Sequence, residues 1–490
     1  MVISFFQKSA SPGLRSKPTL KPTGRASEVA TRARPTRATI ADFIFPVGVL
    51  FRKSEKESRP GKAGKSEFDI INDWEPEPLV RPVDGKHRGL NAPVTKNQIA
   101  QHITVNNVKC LNFATHNYLG LVNHQEIEEI AVAAVRKYGI GSCGPRGFFG
   151  TVDVHLDLEE RLAQFMRTEA AVVYSYGFST IASAIPAYAK RGDICFVDEA
   201  VHFSIQKGLA ASRSHIKYFR HNDMMHLEQL MNEQAVLDRK NPRKAAKTRK
   251  FLIVEGLYYK TGDLCPLPEI VGLKKRHKVR LFIDESVSFG TLGDTGRGVT
   301  DYYNIPIEEI DLIMSSMECS LASIGGFCVG TTFVVEHQVL SGSGYCFSAS
   351  LPPLLTVAAT TALNLIDRSP ELIKELNEKC DQLHRLLHKS ETVGKYFRIS
   401  GCRLSPVKHL FPLELKPETE PELQEIVDLC LQGGVALTVP SFHPEDVNCR
   451  TPSIRLTVNS KLEPQDLSKC LSLLEKCINA VLKPTSTRSL

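Results

Sequence analysis

At 490 residues, with 42% hydrophobic and 23% charged side chains, the chain has the composition of a globular protein with a large core and room for two domains. The formal net charge is +7, but eight of the 61 basic residues and one of the 54 acidic residues fall within the first 40, so the body is neutral, which argues against a nucleic-acid face on the fold. Thirteen cysteines are scattered without a Cys-x-x-Cys pair, which disfavours a zinc site and a secreted disulfide framework and points to a reducing, cytosol-facing compartment.

Residues 1–39 are rich in Ser, Thr, Pro and Arg. This composition suits a disordered tail or an organelle transit peptide. Ile40 to Phe51 is a short apolar run broken by Asp42, Pro46 and Gly48. A bilayer-spanning helix needs about 20 apolar residues, so this run is too short to span unaided. A charged linker leads to an extended arm over 68–107, which holds Trp74-Glu-Pro-Glu-Pro-Leu-Val80.

From Val108 the segments alternate in the βα manner. Strands are predicted at Ala170–Tyr174, Ile194–Val197, Ile216–Phe219, Phe251–Val254, Arg280–Asp284 and Leu312–Met314. Helices fall between them, among them Leu156–Met166 and Leu267–Lys278. Apolar strands of this length suit a mainly parallel sheet buried on both faces, here a large domain over 108–367. Helices at Pro352–Ile366 and Pro370–Leu387 lead into a smaller α+β domain over 368–490. That domain has strands at Leu410–Leu415, Ala436–Val439 and Ser453–Val458 and helices at Glu420–Gln432 and Pro464–Leu482. The basic run over 241–250 reads as a solvated loop.

The stretch Asp311 to Gly330 carries the argument. It reads as a buried strand, a small-residue turn and a second strand from Phe327. A strand end followed by Ser and Gly is where α/β enzymes place a cofactor. Upstream lie Asn112-Phe-Ala-Thr-His-Asn-Tyr-Leu-Gly-Leu121, Gly144-Pro-Arg-Gly-Phe-Phe-Gly-Thr151, Asp198-Glu-Ala-Val-His-Phe-Ser-Ile205 and Ile283-Asp-Glu-Ser-Val-Ser-Phe-Gly290. Together these resemble the α-oxoamine synthase family of pyridoxal-phosphate (PLP) enzymes. The resemblance implies an α/β fold of PLP-transferase fold type I.

In that family the turn reads Thr-Lys-Ser-Phe-Gly-x-x-Gly-Gly, and its lysine forms the Schiff base. Here Thr-Lys-Ser falls on Glu318-Cys319-Ser320. A thiol cannot form the imine, so no catalytic residue is expected in this chain. His202 matches the histidine that stacks on the cofactor ring, although a lone His is more often a packing residue. Asp284 matches the aspartate that pairs with the pyridine nitrogen. The histidine that follows has become Val287. Tyr174-Ser-Tyr-Gly-Phe-Ser-Thr-Ile181 resembles the phosphate turn, but a bulky Tyr176 precedes its glycine and Ile181 replaces its Asn. The arginine that ends a small-domain strand and grips the amino-acid carboxylate is replaced by Val439, while Ser453-Ile-Arg455 keeps one arginine.

Several runs resemble the non-catalytic long-chain-base subunits of the family's eukaryotic members. Among them are Cys143-Gly-Pro-Arg-Gly-Phe-Phe-Gly150 and Tyr345-Cys-Phe-Ser-Ala-Ser-Leu-Pro-Pro353. The resemblance implies a heterodimer in which a lysine-bearing paralogue holds PLP covalently. It also implies that the paralogue condenses L-serine with palmitoyl-CoA to 3-ketosphinganine at the cytosolic face of the endoplasmic reticulum membrane. This chain would reach the membrane mainly through that partner. Phe347, Ser348 and Ser350 would be donated to the partner's cofactor site, or Ser348 and Ser350 would only cap the helix that follows. Cys143 and Arg146 are candidates for the shared cleft. Arg146 either holds an anionic substrate group or pairs with a carboxylate in a structural turn. Two rivals are a stand-alone scaffold and an active acyltransferase that uses another lysine, such as Lys260.

Overall fold

The computed structural model describes residues 74–80, 82–83, 85, 88–446 and 448–483. The tail, the apolar run Ile40–Phe51 and the linker lie outside the described residues. The segment up to Val83 is a unit of its own, and Trp74, Leu79 and Val80 in it are exposed.

The body begins at residue 84. Strands β1 (Thr95–Lys96), β2 (His102–Val105) and β3 (Val108–Asn112) form an antiparallel meander. After α1 (Gln125–Tyr138) and α2 (Asp153–Met166), the chain alternates between β4 (Ala170–Tyr174), α3 (Gly177–Tyr188), β5 (Ile194–Asp198), α4 (Phe203–Ser212), β6 (His215–Phe219), α5 (Met224–Lys240), β7 (Lys250–Glu255), α6 (Leu267–His277), β8 (Arg280–Asp284) and β9 (Leu312–Ser316). A turn then leads back through β10 (Gly326–Gly330) to α7 (Thr332–Ser341).

Strands β4 to β10 make one sheet in the order β4-β10-β9-β8-β7-β5-β6. The β9-β8-β7-β5-β6 run is parallel, and β10 lies antiparallel between β9 and β4. Every residue of β5 and β9 is buried, as continuous Ile, Val, Phe and Leu runs require of a sheet covered on both faces.

Helices α8 (Pro353–Arg368) and α9 (Glu371–Lys389) lead to the second sheet, β11 (Phe397–Ser400), β12 (Val407–Pro412) and β14 (Ile454–Thr457), all antiparallel. Helix α10 (Thr419–Gln432) precedes β13 (Val435–Ala436), and α11 (Pro464–Leu482) closes the described chain against α9 and α10.

Strand β3 lies outside the large sheet: it pairs with β2 and, in parallel, with β13. One expectation shifts. Strand β12 starts three residues earlier than its apolar run suggests, because two polar residues are buried in it. The Lys408 ammonium donates to the carbonyls of Cys402 and Arg403. His409 bonds Ser453 Oγ at 2.9 Å and the Tyr259 carbonyl at 3.1 Å. Burial is tolerated once such groups are bonded.

Candidate functional site: a closed cleft at the strand ends

The carboxyl ends of parallel strands deliver Glu255, Asp284 and Ser316 side by side, since Glu255 pairs with Asp284 and Asp284 with Met314 across the ladders. Open α/β sheets place ligands at this edge. The turn from Met317 to Gly325 continues from β9 and turns back. Its glycines are sterically required. Gly325 has φ +109°, and a Cβ there would sit 2.5 Å from Met317 Cε; a Cβ on Gly326 would sit 2.7 Å from the Ser315 carbonyl. Cys319 lies in this turn at 3% exposure. Burial pushes its thiol pKa well up, and the charges of Glu318 and Asp284 add to the shift. The thiol is therefore held protonated and unreactive.

Asp284 is satisfied from within. Its Oδ1 accepts the Ser286 N–H at 2.9 Å and the Ser286 hydroxyl at 2.6 Å. Burial raises its pKa. Glu255 accepts the His202 N–H and, at 2.9 Å, the Tyr259 N–H, and burial beside Asp284 raises its pKa too. His202 caps α4, and its Nδ1 accepts from the Ser204 N–H. The Tyr259 ring meets it edge-on at 4.9 Å, and burial, helped by the Lys260 charge, pulls its pKa down to about 4.

A chain of side chains fills the space beyond. Tyr259 stacks on His116 at 5.3 Å, its hydroxyl 3.2 Å from His116 Nε2. His116 Nδ1 contacts the Tyr118 hydroxyl at 2.7 Å, and the Tyr118 N–H donates to the Cys319 carbonyl at 3.4 Å. Burial and the Arg455 charge draw His116 down to about 3. Arg455, from β14, donates to the Tyr259 hydroxyl and, at 3.2 Å, to the Ala114 carbonyl, while its Nε has no partner among the described residues. Val287 and Val439 are buried, and Ile181 packs in the core. Lys260 is engaged elsewhere: its Nζ donates to Asp446 Oδ1 at 2.8 Å and the Asn448 carbonyl at 3.0 Å.

These residues do not fit a covalently held PLP. The anchor is a buried thiol, Asp284 is bonded to its own neighbour, and His202 faces a tyrosine edge. The sequence flagged Cys319, His202 and Asp284, and the structure brings all three to one edge. It did not flag Glu255, Tyr259, His116 or Tyr118 as site residues. The rule that parallel strands end at the site would have found Glu255.

The remaining candidates form a second cluster around the glycine-dense loop. Arg146 is buried, and its Nη1 and Nη2 bind the two oxygens of Glu159, each at 2.8 Å; its Nε donates to Thr151 Oγ1 at 3.0 Å. Glu159 also accepts the Val173 N–H at 2.9 Å. The anion-holding role for Arg146 is corrected: its donors are used inside the chain, and the carboxylate-pairing alternative is the observed one. Gly144 and Gly150 pinch the loop shut, since a Cβ on Gly150 would stand 1.9 Å from the Gly144 carbonyl.

Ser350 turns inward as well. Its N–H donates to the Gly144 carbonyl at 3.0 Å and its hydroxyl to the Gly150 carbonyl. Its expected donation to another chain is corrected on that ground. Neither serine caps the following helix, whose N-cap Pro352 receives no side-chain bond. Phe347 stands 81% exposed, Ser348 is half-buried, and Cys143 is exposed with φ +57°. At the loop tip Phe148 and Phe149 are 70% and 103% exposed.

The profile of the aminotransferase class I and II family matches residues 108–474. The chain belongs to that family. It is 40% identical to "Serine palmitoyltransferase 1" of Dictyostelium discoideum over 90% of this chain and 93% of that protein. It is 38% identical to "Long chain base biosynthesis protein 1" of Arabidopsis thaliana over 89% of each. Among solved structures it resembles a serine palmitoyltransferase from S. paucimobilis with a bound PLP–myriocin aldimine. The TM-score is 0.72 and the identity 25%, over 80% of this chain and 93% of that one. An 8-amino-7-oxononanoate synthase from Francisella tularensis, 18% identical with TM-score 0.62, shares the fold.

Proposed function

We propose that the chain is the non-catalytic subunit of a serine palmitoyltransferase. It would pair with the catalytic, lysine-bearing long-chain-base subunit, and the pair would condense L-serine with palmitoyl-CoA to 3-ketosphinganine in sphingolipid synthesis. The observation that carries this reading is Cys319, a buried thiol where the family keeps its Schiff-base lysine. PLP would be held covalently by the partner. It supplies the electron sink for carbon–carbon bond formation there, while this chain shapes the shared interface. Two further features support the pairing. Phe148 and Phe149 stand exposed at the tip of a braced loop, as a partner-facing anchor would. Phe347 and Ser348 lie on the neighbouring segment and are free to face another subunit.

The partner would bring the chain to the cytosolic face of the endoplasmic reticulum membrane. No helix among the described residues is long and apolar enough to cross a membrane. The test is co-expression with the lysine-bearing paralogue, with serine-dependent turnover measured for each chain alone and for the pair. Turnover by the pair, none by this chain alone, and a loss on Ser348→Phe without loss of assembly are expected. Turnover by this chain alone overturns the proposal.

A further inference from the structure

Strand β6 is an outer strand of the large sheet, paired only with β5. Beside it, the end of α5 and the segment that follows carry Arg239, Lys240, Arg243, Lys244 and Lys247 within nine residues, all exposed. None has an ion-pair partner among the described residues. The local acids are already used: Asp238 pairs with Lys250 and Asp193 with Arg249. Against a body of balanced charge, this is a concentrated positive face.

A cavity of about 430 Å³ opens within it. Ile194, Ile216 and Leu237 give it an apolar floor, Lys217 and Lys244 line it with ammonium donors, and the Asp238 carboxylate, already paired with Lys250, lines it too. Gln234 positions Lys217, accepting its ammonium at 2.9 Å, and in turn donates to Asp238 at 2.8 Å. Val236 and Leu237 are exposed on the same turn of α5.

We infer that this face docks on an anionic lipid surface, with a phosphate-bearing headgroup entering the cavity between Lys217 and Lys244. Clusters of four to eight unpaired basic residues are drawn to anionic membranes, and apolar side chains among them bury into the headgroup boundary. No aromatic side chain lies between Val236 and Lys250 to stack a base, which disfavours single-stranded nucleic acid. The inference takes from the proposed function only its membrane setting, and its test uses no turnover assay, so either can fail alone.

The full chain, co-purified with its partner where needed, is sedimented with phosphatidylcholine vesicles and with vesicles containing roughly a third phosphatidylserine. Preference for the anionic vesicles, weakening with salt, is expected. Joint replacement of the five basic residues by Glu, with folding verified by circular dichroism, should lower the partition at least about tenfold. Equal binding to both vesicle types overturns the inference. So does unchanged binding by the charge-reversed variant, which would assign any affinity to the basic residues 1–40. Tighter binding to a single-stranded RNA oligomer than to vesicles also overturns it. Calorimetry with sn-glycerol 3-phosphate separates a lipid from a free phosphate. Weak, unsaturated binding is expected. Submillimolar binding lost in Lys217→Gln reassigns the cavity to a soluble phosphate and overturns lipid docking.

Discussion

Ser286 donates both its backbone N–H and its hydroxyl to the same oxygen of Asp284, at 2.9 and 2.6 Å. The same hydroxyl accepts the Ser316 N–H at 2.8 Å, so it ties the end of β8 to the end of β9. The aspartate that the family turns towards a cofactor is here a structural acceptor. Ser286→Ala should therefore destabilise the chain by about 1–3 kcal/mol, because a buried carboxylate and a buried N–H both lose a partner. Urea unfolding at neutral pH measures this. An unchanged midpoint would mean that Asp284 finds its hydrogen bonds elsewhere.

His221 offers a pH signature. Its Nδ1 lies 2.9 Å from Asp198 Oδ1 and its Nε2 3.3 Å from Asp263 Oδ2. Asp263 also accepts the Gly401 N–H at 3.1 Å, which joins the large sheet to the β11–β12 hairpin. Burial lowers the imidazole pKa, but the two carboxylates outweigh it and lift it to about 9. A raised folded-state pKa gives stability that is full below the unfolded value of about 6.5 and is lost as pH rises through 9. The destabilisation caused by His221→Gln should shrink by about 3 kcal/mol between pH 6 and pH 9.5. Thermal unfolding of both proteins at the two pH values checks it, and a difference that does not change with pH refutes the charged bridge.

Much of the fold was legible because the informative residues act locally. Runs such as Ile194–Val197 and Arg280–Asp284 announce buried parallel strands by composition alone, and both lie within observed strands. Strand β12 was misplaced because Lys408 and His409 read as surface residues, and only the three-dimensional fold shows their partners. The site divides the same way. Cys319 was visible as a departure from a fixed motif. The cluster of Tyr259, His116 and Arg455 was not, because β14 and the 114–118 turn meet only after folding.

Arg146 should behave as a brace. Arg146→Ala leaves the half-buried Glu159 without its bidentate partner, which costs about 1–3 kcal/mol. A residue that only held a substrate anion would leave stability untouched and raise KM. Unfolding of the isolated chain separates the two, and a stability loss under about 1 kcal/mol would restore the substrate-binding role.

Phe149 predicts effects of opposite sign. Its φ of +64° is unfavourable for a bulky side chain, and its ring is fully exposed. Phe149→Gly should leave the isolated chain as stable, or up to about 1 kcal/mol more stable, by relieving left-handed backbone strain. The same change should weaken assembly with the partner by about 2 kcal/mol if the ring anchors the interface. Mass photometry across a dilution series reads the affinity. Undiminished assembly would remove Phe149 from the interface.

Cys319→Lys tests whether the lost function is one residue deep. The introduced amine would enter a 3%-exposed position with Tyr118, His116 and Tyr259 packed beyond it. Extra methylenes in such a site cost about 1–3 kcal/mol. Burial works against a charge on the amine, the Glu318 and Asp284 carboxyls favour its ammonium form, and the Arg455 guanidinium opposes it. Asp284 would still be bonded to Ser286, and Val287 and Val439 would still lack the polar groups the family places there. The variant with added PLP should therefore show no visible aldimine band, and borohydride reduction should leave no pyridoxyl group at position 319. Cys319→Ser, which keeps the volume nearly constant, should leave turnover of the pair unchanged, because the protonated thiol takes no part in it. A pyridoxyl-modified peptide spanning 319 would show that the cleft is still open and only its anchor is missing, and a loss of pair turnover in Cys319→Ser would give the thiol a role of its own.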